Sequence, residues 1–404
     1  MGAAVNWRYR PGAAPETKPP TPPDLTALSR PAGADLFRAF AVGLVGWFHI
    51  WQQTWISPGR MEPMVRTGYV WVDAMILLSA FCLWLPYARA RLEGRPFPGC
   101  RGFWRRRAVR ILPSYWFCVL VAMFFFALPD SGWSPRLAWD FFSHMTLLHT
   151  LHRYSYLFTE LGGVLWTVGV LAGFYLLFPL IGRAFWHRPC LTFAGLCAAQ
   201  AAYTWGWALG LDDGVYPMVF NQLPGFLGVW ALGMAGAEVY LRLAAAAKPA
   251  ARWLAVPVIP AALWVLYQMQ TDLMYDAAIQ RWQLAWRLPL TAVMCLLLGA
   301  VCLLPALPGR RLWAFLSGIS YNFYLWHQTL AVWLKYRWRI PAWTGDVPPN
   351  QLWDAAWMAG YDLWCWGAAL AAAVAGTYLI EKPAARRLKS LLFGTDVPAK
   401  RPKG

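Results

Sequence analysis

With 404 residues, 59% of them hydrophobic and only 14% charged, the chain has too little polar surface to cover a water-facing fold, because soluble domains carry about a quarter charged residues. A net charge of +17 would suit a nucleic-acid partner only if the basic side chains formed a folded, exposed patch. They lie between apolar runs instead, so they read as topology signals, and the 28 Trp and 17 Tyr suit the belts of a membrane interface.

In chain order, residues 1–34 are Pro-rich, polar and basic, with no apolar stretch ahead of a cleavage site. That argues against a signal peptide and predicts a disordered cytoplasmic tail. Apolar runs of about 20 residues, the length that spans a bilayer, follow near 35–56, 67–88, 110–129, 164–185, 189–209, 219–241, 252–270, 282–304, 313–335 and 356–380. The stretch 138–150 is too short and too punctuated by His to span, and predicts an interfacial helix. The fold class is therefore all-α, a polytopic integral membrane protein of about ten transmembrane helices. One membrane domain covers 35–387 and a second cytoplasmic tail 388–404. With the N-terminus inside, most of the 36 Lys and Arg fall on the cytoplasmic side, which places both termini there. The eight cysteines are scattered with no Cys-x-x-Cys pair. In apolar segments Cys behaves as a small hydrophobe, so neither a disulfide framework nor a structural zinc is expected.

The first span carries Arg38 and His49. At about 100° per residue they return to within ~20° of one azimuth, ~16 Å apart along the axis. Ionisable residues at such depth are costly unless satisfied, and so mark functional sites; the plainer reading is a His tied to a carbonyl and an Arg that snorkels. Asp73, in the antiparallel second span, falls level with His49, as does His327 in the ninth. A carboxylate beside an imidazole orients its tautomer and raises its basicity, the usual arrangement of a general base. The basic segment from Arg89 to Arg110 exceeds what orientation requires. It reads either as a lipid-headgroup contact or as a dock for a polyphosphate, which Arg pairs bidentately.

These residues resemble the acyltransferase-3 family of membrane O-acyltransferases. Arg38, ten residues, then His49 matches its first-helix signature; Val72-Asp73 followed by Leu78-Ser79-Ala80-Phe81 is similar to its second helix, with Ala80 in place of Gly. Phe103-Trp104-Arg105-Arg106-Arg107 and Arg110-Ile111-Leu112-Pro113-Ser114-Tyr115-Trp116 resemble its basic entry to the third helix. Leu165-Trp166-Thr167 with Phe174-Tyr175-Leu176-Leu177-Phe178-Pro179, then Ile319-Ser320-Tyr321, Tyr324-Leu325-Trp326-His327 and Ile380-Glu381-Lys382-Pro383, complete a match running from about 35 to 387. The resemblance implies transfer of an acyl group, commonly acetyl, from cytoplasmic acyl-CoA to a hydroxyl of a lipid-linked or cell-surface glycan, in a bacterial-type plasma membrane. His49 would be the catalytic base, with Asp73 beside it, and Arg38, Arg107 and Arg110 would meet the CoA phosphates. Trp166 and His327 are expected to line the substrate path; Ser79, Tyr175 and Tyr321 either join them there or bond across helices. One departure stands out: where the family's fourth helix carries Glu and Gln, this chain has Leu171 and Gly173. That keeps a second class in view, a transporter or flippase for an anionic glycan or lipid, using the same polar path without chemistry.

Other polar groups invite weaker readings. His144, His149 and His152 have only Asp140 as a nearby carboxylate, so interface histidines are expected there rather than a metal site. Glu381 is expected to pair with a neighbouring Arg such as Arg386. Asp212, Asp213, Asp272 and Asp276 are expected in solvated outer loops.

Overall fold

The computed structural model describes residues 31–211, 216–246, 249–275, 279–304 and 306–393. Every element among them is helical. Ten long helices fall on the ten expected spans: α1 (Ala32–Thr54), α2 (Trp71–Leu92), α3 (Phe103–Ala122), α4 (Trp166–His187), α5 (Pro189–Gly206), α6 (Leu227–Ala246), α7 (Val258–Tyr275), α8 (Ile279–Leu303), α9 (Arg310–Tyr336) and α10 (Ala355–Ala375). Seven helical stretches, those built on α2, α3, α4, α6, α7, α8 and α10, are long and apolar enough to cross a membrane. Two of the other three, α1 and α9, carry Arg38, His49, Asn322 and His327, and polar residues turned inward lower the mean hydropathy of the helices that carry them.

Helix α2 is the axis of the bundle, lying against α6, α1 and α8, while α9 packs between α1 and α10. The α2–α6 approach is close because Gly233 leaves room: a Cβ there would stand 2.3 Å from the Leu77 carbonyl oxygen. Small residues at such crossings let backbones approach where lipid supplies no hydrophobic drive between helices. Around this seam, Trp71, Trp84, Trp230, Phe174 and Phe178 are fully buried, and Phe174 and Trp230 stack with centroids 4.3 Å apart.

Three differences from the sequence expectation matter for the site. Helix α3 starts at Phe103, after Gly102 in a left-handed turn (φ 68°), so Arg105, Arg106, Arg107 and Arg110 ride on helix rather than on a loop. Arg is a good helix former, and hydropathy marks only where the apolar run begins. The sixth expected span is broken: a short helix ends at Phe220, residues 221 and 222 turn the chain, and a 3-10 turn, Leu223–Phe226, leads into α6 at Leu227. Pro224 within that turn cannot donate a helical hydrogen bond. Last, α10 passes through a π-helical turn, Gly376–Glu381, into Lys382–Phe393, so helix extends into the expected tail.

The stretch expected as an interfacial helix forms a short helix, Pro135–Met145. It buries Leu137, Asp140, Ser143 and His144 and exposes Trp139 and Phe142, polar side inward and aromatic side outward. Asp272 is exposed near the end of α7 rather than in a loop. Asp212, Asp213, Asp276 and most of both tails lie outside the described residues.

Candidate active site

Two polar cavities lie back to back in the bundle, and Tyr324 of α9 lines both. Its hydroxyl donates to the Val164 carbonyl (3.0 Å) and accepts from Thr167 Oγ1 (2.8 Å), which ties the partition to the start of α4.

The first cavity, of about 260 Å³, collects Arg38, Arg107, Arg110, Ser79, Tyr175 and Tyr321. The expected cation set and three of the five expected substrate contacts thus share one wall, built from α1, α2, α3, α4 and α9. The Arg107 guanidinium lies over the Tyr175 ring at 5.5 Å and the Phe103 ring at 5.6 Å, and cation–π contact holds a flat cation without neutralising it. Arg38 Nη2 donates to Cys82 Sγ (3.7 Å). Tyr321 donates to the Ile111 carbonyl (3.1 Å) and Ser79 to the Met75 carbonyl (2.8 Å). Leu171, at the position where the family pattern has Glu, lines this cavity, and among its described lining residues Glu381 is the carboxylate. Glu381 Oε2 accepts from Asn322 Nδ2 (2.8 Å), while Arg386 Nε donates to the Lys382 carbonyl. No Glu381–Arg386 ion pair is formed; the carboxylate, at the end of the π-helical turn, accepts from Asn322 and shares the cavity wall with Arg110.

The second cavity, of about 470 Å³, is lined by His49, Asp73 and Trp166 among the expected residues, with Gln52, Asn221, Gln283 and Gln328 adding amides. His49 is not oriented by Asp73. Its Nδ1 lies 3.0 Å from the Val45 carbonyl and 3.0 Å from Nε2 of His327. His327 Nδ1–H donates to the carbonyls of Tyr324 (2.8 Å) and Phe323 (3.2 Å). With that proton fixed, Nε2 of neutral His327 is an acceptor and takes the His49 Nδ1–H. The lone pair of His49 is thereby left on Nε2. His327, expected as a substrate contact, stands behind His49 and is 1% exposed.

Asp73 is engaged elsewhere. Its Oδ2 accepts from Arg287 Nε (3.1 Å) and Gln283 Nε2 (3.3 Å), both on α8. Equal depth on neighbouring helices placed Asp73 and His49 on one cavity, but depth leaves azimuth undetermined, and a buried cation on the third helix draws the carboxylate. Arg287, Gln283, Tyr324 and Asn221 are site residues that the sequence reading missed. Arg287 had a usable signal, since an ionisable residue inside an apolar run is costly and so marks function.

His144, His149 and His152 form no centre. His144 Nδ1 lies 3.0 Å from Asp140 Oδ1, and the His144 and His149 rings stack at 4.1 Å. Among the described residues no group of three or more His, Cys, Asp or Glu is placed to hold a metal, and all eight cysteines are free thiols.

The fold and these cavities define a multi-pass, helical membrane protein with a cationic chamber and an imidazole-bearing chamber that share one wall. The acyltransferase-3 family model, described as an acyltransferase domain, matches residues 32–382, and the chain belongs to that family. No curated protein and no solved structure matches it.

Proposed function

We propose that this protein is an O-acyltransferase that moves an acyl group, acetyl in the simplest case, from cytoplasmic acyl-CoA to a hydroxyl of a lipid-linked or surface glycan. In this reading all ten long helices span a bacterial-type plasma membrane, with both termini and the Arg38 cavity on the cytoplasmic side. The observation that carries it is the pair of chambers divided at Tyr324: three arginines in one, and in the other an imidazole whose Nε2 is left to accept a proton. At about 260 Å³ the Arg38 cavity is smaller than the ~300–1,000 Å³ that encloses a drug-sized ligand. It suits the thin acyl-pantetheine arm, with the donor phosphates at its mouth against Arg38, Arg107 and Arg110.

The acceptor hydroxyl would enter the His49 cavity and give its proton to His49 Nε2 as its oxygen attacks the thioester carbonyl. A C–O bond forms, the C–S bond breaks, and the departing thiolate takes the proton back from the imidazolium. His327 would accept the strengthened hydrogen bond from His49 Nδ1–H during that step. This is the role a carboxylate plays in a hydrolase triad, here supplied by a neutral ring anchored on backbone carbonyls. Tyr324 must yield for the thioester to meet the acceptor, so its hydrogen bonds to α4 act as a latch.

Purified protein heated with and without acetyl-CoA tests the reading. Stabilisation by acetyl-CoA that disappears in Arg38→Ala, with acceptor-dependent thiol release that disappears in His49→Ala, is the expected result. Stabilisation by a glycolipid alone, with no thiol release from acetyl-CoA, would turn the assignment to transport.

A further inference from the structure

In the break of the sixth span, residues 221–226, two backbone carbonyls and one side chain converge on Arg287. Arg287 is fully buried at mid-helix in α8. Its Nη1 donates to the carbonyls of Phe220 and Gly225 (both 3.2 Å), its Nη2 to Asn221 Oδ1 (3.5 Å), and its ring contacts are Phe226 at 4.1 Å and Phe220 at 4.8 Å. Irregular backbone within a membrane domain persists only where it lines a cavity and its freed carbonyls find donors. Here the guanidinium is that donor, and Phe220 and Asn221 are set into the wall of the His49 cavity.

The same guanidinium fixes what that wall offers. Asp73 places both its hydrogen bonds on Oδ2, so Oδ1 accepts from no described residue. Gln283, 2% exposed and lining the cavity, spends its Nε2 on Asp73 and leaves Oε1 without a partner. Gln283 Oε1 thus stands as a buried, unpaired acceptor beside the Asp73 carboxylate, and an unmade hydrogen bond at a buried oxygen is expensive. Only a ligand that brings donors relieves it. The Arg287 cation is committed to carbonyls and to Asp73, and Arg66, which lines the cavity, is paired with Glu62 (3.0 Å). Each described arginine at this wall has a carboxylate partner, Asp73 for Arg287 and Glu62 for Arg66.

We propose that the His49 cavity selects an uncharged, hydroxyl-rich acceptor over an anionic one, through Asp73 and Gln283, and that Arg287 is the positioning residue that sets both this wall and the 221–226 turn. This rests on the acyltransferase reading for its acceptor but makes its own demand, which is the charge of the ligand.

Saturation-transfer NMR on the full chain in nanodiscs would compare methyl β-glucoside with methyl β-glucuronoside, a neutral and an anionic probe of one shape. Transfer to the glucoside and little to the glucuronoside is expected. Gln283→Met, which leaves the ion pair intact, should weaken glucoside binding about fivefold, the worth of one hydrogen bond. Arg287→Lys, which cannot serve two carbonyls and Asp73 together, should raise the acceptor KM more than it lowers kcat. Equal or tighter binding of the glucuronoside, no binding of either sugar, or unchanged binding in both variants overturns the proposal. Selective glucoside binding with no thiol release from acetyl-CoA would instead sink the transferase reading and leave this one standing.

Discussion

The two chambers are built from overlapping helices and share Tyr324, yet their walls are opposite in kind. The Arg38 cavity gathers cations from α1 and α3 around a single described carboxylate, Glu381, and holds Arg107 over aromatic faces. The His49 cavity buries Arg287 behind the wall, pairs Arg66 at its rim with Glu62, turns a carboxylate and amides inward, and adds Trp51, Trp166, Phe48 and Tyr69. Charges that stay in reach of ligand can bind phosphate; a charge spent on backbone carbonyls shapes a surface instead. The difference shows that where a guanidinium's donors point, more than whether one is present, decides what a membrane cavity recognises.

The largest effect that would break this division of labour is at His49. Removing a general base typically costs 10²–10⁴-fold, so His49→Ala should lose acyl transfer by that order while acetyl-CoA still raises the melting temperature. Loss of both together would mean that the chambers are not separate. Arg38→Ala should do the reverse, raising the donor KM about tenfold or more, as for a lost charged hydrogen bond, with a smaller change in kcat.

His327 sharpens the comparison within one chamber. His327→Ala should lower kcat roughly tenfold or more and shift its pH profile, because His49 Nδ1–H then keeps only the Val45 carbonyl as acceptor. His327→Gln, which returns an oxygen near the position of Nε2, should recover part of it. A merely structural role would leave the pH profile in place. A smaller effect is expected at the partition: Tyr324→Phe removes the hydroxyl that bonds Val164 and Thr167, and should raise acceptor-independent thiol release about two- to threefold.

The least effect is on stability, outside both chambers. Burial, and then the neighbouring His144, hold the His149 imidazole well below its ordinary value. The unfolded chain takes up that proton near pH 6.5 and the folded chain does not, so stability is lost as pH falls below that value. The melting temperature should drop between pH 7 and pH 5, and less steeply in His149→Phe.

Much of the fold was legible because the signals are local. Twenty-residue apolar runs located ten long helices, since each helix must satisfy its own backbone whatever surrounds it. Boundaries shifted where chemistry differs from hydropathy: Arg105, Arg106, Arg107 and Arg110 ride on α3 although they are charged, and Asn221 to Gly225 interrupt an otherwise apolar run. Of the site, the spacing of Arg38 and His49 on one helix was readable, and the structure places them on different cavities. The pairing of Asp73 was misread, because depth compares residues along the membrane normal while hydrogen bonding depends on which helix stands beside which.

The sequence by itself thus determined a many-helix membrane domain, its family, and the set of polar residues placed within it, all of which follow from composition, run length and spacing along single helices. Only the tertiary structure decided that Arg287 claims Asp73, that His327 stands behind His49, and that Tyr324 divides the path. These contacts join residues more than 150 positions apart, and the rotation of each helix about its axis, set by packing at seams such as Gly233 on Leu77, selects among partners of equal depth.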